Sequence, residues 1–239
     1  MKRIYLLLTI GLFLSSASLS AQENDYDYGS EFLWGINKNT SGGLIGGVMF
    51  RYSKRINENV FQNFGLELLN VKNRNELRRQ SRFNNPFIWG KVNYLYSVRT
   101  YYGREWVLFK KAPQQGVQLS ANLAAGPTFG LVVPYYIQFQ ENNYVERVPF
   151  DPEIHGNFIG RIVGAGGLFQ GLGQASIQPG INVKASLSFE FGTFKSNVTG
   201  FEAGFAAEAF TKDIELMAFV ENQSTFFTAF ITLFYGSRQ

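Results

Sequence analysis

The 239-residue sequence has no cysteine and a single histidine, His155. The first absence excludes disulfide staples, thiolate metal sites, CxxC redox chemistry and anchoring through a lipidated cysteine. The second excludes paired-histidine catalysis and zinc-protease motifs. Charge is scarce too: Asp, Glu, Lys and Arg make up 17% of the chain, where ordinary globular domains carry about a quarter. No segment beyond the leader has a 3.6-residue apolar stripe, so amphipathic helices are also missing. Aromatics, by contrast, reach 16%, with 24 Phe and 12 Tyr, alongside 25 Gly. That balance points away from a soluble enzyme.

The first residues read as a leader and not as part of the fold. Lys2 and Arg3 precede an apolar run, residues 4–14 (IYLLLTIGLFL), and a small-residue segment, residues 15–21. This is the pattern of a secretory signal peptide, with cleavage expected after Ala21 or after Ser20. The apolar run is too short for a membrane-spanning helix, which needs about 20 residues. The mature domain is then 22–239. Its loss of Lys2 and Arg3 leaves 20 basic against 18 acidic residues, a net charge of +2. The high isoelectric point therefore carries little weight, and with no basic run interleaved with aromatics, nucleic acid is not an expected partner.

The period is two through most of the mature chain. In residues 181–191 (INVKASLSFEF), Ile181, Val183, Ala185, Leu187, Phe189 and Phe191 alternate with Asn182, Lys184, Ser186, Ser188 and Glu190. Successive strand side chains point to opposite faces, so this run has one apolar and one polar face. Residues 117–125 and 201–209 repeat the device, and residues 63–68 and 88–99 follow it less strictly. Turn-forming clusters such as Asn57-Glu58-Asn59 and Asn84-Asn85-Pro86 divide the runs. Eight strands result, at about 30–38, 42–55, 60–72, 86–101, 115–131, 180–193, 200–211 and 224–235. An even number places both termini at one end. There the connections are 56–59, 102–114 and 194–199; at the other end they are 39–41, 73–85, 132–179 and 212–223. Residues 106–109 of the long 102–114 connection could pair as an extra hairpin.

Alternation does not say which face is outside, since a lipocalin-type soluble barrel would alternate equally well. The polar faces are mostly Ser, Asn, Gln and Gly, whereas a surface in water should be about 25–35% charged. Their charges balance: Glu67, Glu190, Glu202 and Glu208 against Arg51, Lys91, Arg99 and Lys184. A narrow lumen requires such a balance, because buried charge is costly unless paired. Trp34, Tyr52, Trp89, Tyr101, Tyr102 and Tyr235 lie towards strand ends, where a membrane barrel carries aromatic girdles.

With its leader, its alternating strands, and segments such as FGLELLNV, SANLAAGPTFGLVVPYY, INVKASLSFEFG and FFTAFITLFYG, the chain resembles small outer-membrane β-barrel proteins of Gram-negative bacteria. The resemblance is one of pattern and spans nearly the whole mature chain. It implies an all-β, eight-stranded antiparallel transmembrane barrel, contact with outer-membrane lipid, and no cofactor. Such barrels commonly end on an aromatic residue that the assembly machinery reads. Here Phe234-Tyr235 is followed by four more residues, Gly236-Ser237-Arg238-Gln239.

Candidate chemistry is thin. Asp151, Glu153 and His155 would share one side of an extended segment, as ligands of a hard or borderline divalent metal would, but a solvated loop beginning with an Asp-Pro turn fits as well. His155 as the base of a lipid hydrolase lacks a nearby serine, so no catalytic residue is assigned and no metal is expected. The glycine-rich run 164–173 lacks the Lys-Ser or Lys-Thr of a phosphate loop. The eight lumen charges read as packing more readily than as an ion path, since eight strands leave an interior that side chains fill. Lys72, Arg74, Arg78, Arg79 and Arg82 cluster around loop 73–85 and could hold lipopolysaccharide phosphates. The 48-residue loop 132–179 carries many aromatics. The expected function is a non-enzymatic structural or accessory barrel docking another envelope protein through its wall or that loop, with binding or transport of a small or lipidic ligand as the alternative.

Overall fold

A computed structural model describes residues 28–42, 46–110, 116–142, 144–167, 170–191 and 197–239; the leader 1–21 lies outside them. Strands β1 (Ser30–Asn39), β2 (Gly47–Asn57) and β3 (Val60–Val71) open the chain as consecutive hairpins. A short hairpin follows, β4 (Arg78–Gln80) with β5 (Pro86–Ile88), then the long strands β6 (Asn93–Phe109) and β7 (Gln118–Pro134). Next come β8 (Tyr136–Glu141), β9 (Tyr144–Pro149) and β10 (Ile162–Ala165), and finally the long strands β11 (Ser176–Phe191), β12 (Asn197–Ile214) and β13 (Gln223–Arg238).

Eight of these strands close on themselves in the order β1-β13-β12-β11-β7-β6-β3-β2. The seam is the pairing of first and last strands, from Glu31↔Arg238 to Asn39↔Phe230. A closed ladder leaves no free sheet edge along its paired length and needs no covalent staple. The start of β1 and the end of β13 lie together at one end, where β2–β3 are joined by a tight turn at Glu58 and Asn59. The other end carries a separate three-stranded sheet, β10-β8-β9, and the β4–β5 hairpin.

The eight expected strands match the wall, with informative differences. The β6 strand begins at Asn93 and continues to Phe109. Residues 106–109 are thus not an extra hairpin but part of the wall, where Trp106 pairs with Val60 and with Ala121. The connection is therefore 110–117, shorter than 102–114, while the longest excursion stays at the other end, between β7 and β11. Residues 86–88 belong to the β4–β5 hairpin and not to a wall strand. The 132–179 stretch is no open loop: β7 and β11 take its ends, and the middle contributes the three strands of the small sheet.

That sheet builds a core of its own. Phe87, Tyr135, Ile137, Phe139, Phe150, Ile162 and Ala218 are buried together, and the Tyr135 hydroxyl oxygen accepts the Ile88 amide of β5 at 3.0 Å. The loop between β12 and β13 fastens this cap to the barrel. Val92 N–H donates to Leu216 O at 3.0 Å and Ala218 N–H to Gly90 O at 2.7 Å. Directly beneath, Val71, Leu95, Phe210, Ile214, Leu216, Met217 and Phe226 form an apolar plug across the upper barrel.

Candidate functional site

The lumen is layered, and each layer follows from strand parity. At the end carrying the termini, Arg238 points inward from the last turn of β13. Its Nε lies 2.8 Å from Glu31, its Nη1 2.8 Å from Glu190, and its Nη2 donates to Tyr28 OH at 3.0 Å. The four residues after Phe234-Tyr235 thus extend the strand, so that Arg238 closes the barrel mouth while Tyr235 stays outside. Next to this layer Leu33, Met49, Val198 and Phe234 pack inside the barrel. A polar hydrogen-bonded layer joins Asn63 Nδ2 to Asn122 at 3.1 Å and to the Glu105 carboxylate at 3.4 Å, and Asn122 Nδ2 to Ser188 at 2.8 Å.

The middle of the lumen holds a single alternating chain of charges. Arg51 lies 3.1 Å from Glu202, Glu202 3.1 Å from Lys184, Lys184 2.6 Å from Glu67, Glu67 3.6 Å from Arg99, and Arg99 2.9 Å from Glu208. Ser186 donates to Glu202 and Ser97 to Glu208, at 2.7 Å for the latter. Three bases meet three acids, so the set is neutral and each ion has an opposite neighbour at contact distance. Such pairing and bonding offsets the cost of taking charge out of water. Gly65 makes room for it: a Cβ there would sit 2.0 Å from Cζ of Tyr101, whose ring fills the lumen beside Lys184.

Six of the eight charges read from the sequence thus form one chain, and all eight are buried. The other two go elsewhere. Glu190 joins Arg238 at the mouth. Lys91 lies outside the wall strands and pairs with Glu76 beneath the cap, its Nζ 4.5 Å from the Tyr94 ring. Burial lowers the Lys91 pKa, and Glu76 opposes that shift. Tyr101 points into the lumen and Trp89 sits in the cap against Phe150, so neither belongs to an outer girdle. Sequence reading missed Glu31, Glu76, Glu105 and Arg238. All lie in or beyond connections, or on a strand face broken by an inward apolar residue such as Leu33.

Asp151, Glu153 and His155 do not converge on a shared ligand. The segment is a helical turn, Pro152–His155, and the Asp151 carboxylate caps it by accepting the Glu153 amide at 2.8 Å. His155 turns inward, 4.7 Å from the Phe139 ring centroid, and its Nδ1 accepts the Asp151 amide at 2.9 Å. No serine is among its hydrogen-bond partners in the described residues. Burial lowers its pKa, with Asp151 opposing. Residues 168–169 of the glycine-rich run lie outside the described residues. The basic cluster is spread out: Arg78 and Arg79 lie on β4, Arg82 packs beside Gly160, and Arg74 borders a trough in the outer wall.

Outside the barrel the polarity is inverted. Ile36, Phe64, Leu123, Phe129, Leu187, Phe205, Phe227, Ile231 and Leu233 are exposed on the wall. Towards the end with the termini, Trp34 meets Tyr235 at 6.1 Å, Phe64 meets Tyr102 at 5.0 Å, and Phe189 stacks on Phe201 at 4.7 Å. A continuous apolar band with an aromatic rim around a charged interior suits hydrocarbon as the outer solvent.

Strand number, closure and inverted polarity define a small eight-stranded β-barrel of the outer-membrane type. Among solved structures, the chain is similar to Neisserial surface protein A (10% identity, TM-score 0.40, 88% of this chain and 96% of that one). It is also similar to Ail, the attachment invasion locus protein of Yersinia pestis, in complex with the heparin analogue sucrose octasulfate (9%, 0.40, 89% and 100%). The N-terminal β-barrel domain of Pseudomonas aeruginosa OprF is a third (8%, 0.34, 89% and 98%). No protein-family model matches, and no curated protein matches significantly.

Proposed function

We propose that the protein is a non-enzymatic accessory barrel of the outer membrane whose cap docks another envelope protein. The observation that carries this reading is the cap itself: the chain between β7 and β11 is folded over a barrel that its own side chains already fill. A connector needs none of this, since most connections are a few residues long. The charge chain and the apolar plug occupy the lumen, so a role as an open pore has no path to use.

The cap surface suits contact. Phe219 is 74% exposed and holds a left-handed backbone, φ 67°, which a bulky residue adopts at a cost of about 1–3 kcal/mol. Its ring stacks on Trp89 at 6.4 Å. Beyond it, Tyr144 and Val145 are exposed on β9, which is an edge strand of the small sheet. Exposed aromatics and an unpaired edge are what protein partners use.

Photo-crosslinkers placed at Phe219 and Tyr144 in intact cells test this. The expected result is one and the same protein captured from both positions, and not from Ile231 on the wall. No shared product from the two cap positions would overturn the docking reading. Step conductance of the purified barrel in planar bilayers would separately overturn the closed lumen.

A further inference from the structure

A trough of about 500 Å³ lies in the outer wall where β13 rises past the end of β1. The seam pairing stops at Asn39↔Phe230, while β12 and β13 stay paired past Ala209↔Thr225 and, across a register shift, to Ile214↔Gln223. Above the seam, among the described residues, Thr40 and Ser41 of the β1–β2 turn reach β13. Thr40 N–H donates to Ala229 O at 2.9 Å, and the Ser41 hydroxyl to Phe227 O at 3.4 Å. β1 thus ends, at Asn39, lower on the wall than β13. The chain leaving β3 meets the β1–β2 turn, with Lys72 N–H donating to Ser41 O at 2.6 Å, and brings Arg74 to the rim.

Register shapes the trough. Val183, Ala207 and Phe227 lie in one row across β11, β12 and β13, and Ala185, Phe205 and Ala229 in the next. Three alanines therefore zigzag between larger side chains. Phe205 and Phe227 stand 72% and 69% exposed on either side of them. Neighbouring strands are about 4.8 Å apart, so a floor of single alanines on successive strands suits one acyl chain and not a helix about 10 Å across. The lining is apolar except at the rim. There Arg74 is exposed and makes no ion pair among the described residues.

We propose that this trough holds one acyl chain of a phosphorylated outer-leaflet lipid, with the lipid's phosphate bound by Arg74. The argument combines shape and charge: an apolar, chain-width slot within the lipid-facing band, ending under one guanidinium at the side where the long loops lie. A guanidinium binds phosphate through two parallel bonds, which fixes the headgroup directly over the slot. The proposal rests on the wall facing lipid, not on the cap having a protein partner.

Native mass spectrometry of the mature barrel, reconstituted in phosphatidylethanolamine vesicles doped with lipid A, tests it. The expected result is one lipid A retained per barrel, with phosphatidylethanolamine and fully dephosphorylated lipid A retained far less. Arg74→Glu should lower retention at least about tenfold, the weight of a charge-assisted bond. Ala207→Phe should fill the slot and abolish retention, and Arg74→Lys should restore part of what Arg74→Glu loses. A heat-dependent shift on a gel checks that each variant is folded. Equal retention of the dephosphorylated lipid, or wild-type retention by folded Arg74→Glu or Ala207→Phe, would overturn the proposal. Failure of the wild-type barrel to insert into the vesicles would instead strike the membrane reading on which it rests.

Discussion

The wall and the cap obey opposite rules within one chain. In the wall Arg51, Glu67, Arg99, Lys184, Glu202 and Glu208 are buried, while Ile231, Leu233 and Phe205 are exposed. In the cap Tyr135, Ile137, Phe139 and Ile162 are buried, and Arg78, Arg79, Glu146 and Arg147 are exposed. The hydrophobic effect gives the same answer in both places once the solvent differs: hydrocarbon around the wall, water around the cap. The boundary falls at the apolar plug of Val71, Leu95 and Phe210, which is buried from both sides.

The largest effect should come from breaking the inner rule of the wall. Glu202 sits between Arg51 and Lys184 and is fully buried. Glu202→Ala leaves both cations short of a partner, which costs about 3–5 kcal/mol. Urea unfolding in detergent should show the loss directly, and Glu202→Gln should lose less. A change below about 1 kcal/mol would mean that the charge chain is not what stabilises the lumen.

Next in size is the cap core. Ile137 is fully buried there, and Ile137→Ala should cost about 2–5 kcal/mol. The cost should fall on the cap alone. Limited proteolysis would then cut between β7 and β11 while the barrel keeps its heat-dependent gel shift. Simultaneous loss of both would show that wall and cap unfold as one unit.

A matched pair addresses the outer rule. Ile231 on the wall and Ile154 on the cap are 54% and 59% exposed, so burial alone gives them equal tolerance. Arginine on the lipid face costs about 2–4 kcal/mol near the bilayer midplane, whereas surface changes in water usually stay within about 0.5 kcal/mol. Ile231→Arg should therefore destabilise the barrel in vesicles, and Ile154→Arg should not. Equal effects would remove the case for two solvents.

Much of this was legible in the sequence where the two-residue period is strict. In β11 every inward position from Asn182 to Glu190 is polar, and every outward one apolar, so Lys184 and Glu190 could be assigned to the lumen from spacing alone. The period fails where the interior itself turns apolar. Leu33 and Met49 point inward, which masks Glu31, and Leu95 points inward on β6, which blurs the start of that strand. Arg238 was missed because nothing local says that the strand continues past Tyr235. The cap was least legible: its strands are short, its alternation is weak, and its core is assembled from residues as distant as Phe87 and Ala218. The basic residues around 73–85 were visible as a cluster, but only the folded loop separates Arg74 at the trough from Arg82 beside Gly160.

The smallest effect is a loss of cap stability as pH falls below neutrality, carried by the one histidine. His155 packs against Phe139 and Phe150, and its Nδ1 accepts the Asp151 amide, so the folded cap holds the neutral ring. Burial is the larger cause of its lowered pKa, and the Asp151 carboxylate only partly offsets it. The unfolded segment therefore binds the proton more readily than the folded one. Stability is full above the ordinary histidine value of about 6.5 and falls as pH drops below it towards the lower folded value, by at most about 1.4 kcal/mol per pH unit. Between pH 7 and pH 5, hydrogen exchange at Ile137 and Phe139 should quicken beyond the intrinsic pH trend, while exchange at Ala203 and Ile231 should not. His155→Gln should flatten the slope in the cap. An equal slope at the wall amides would mean that the proton acts on the whole molecule and not through this ring.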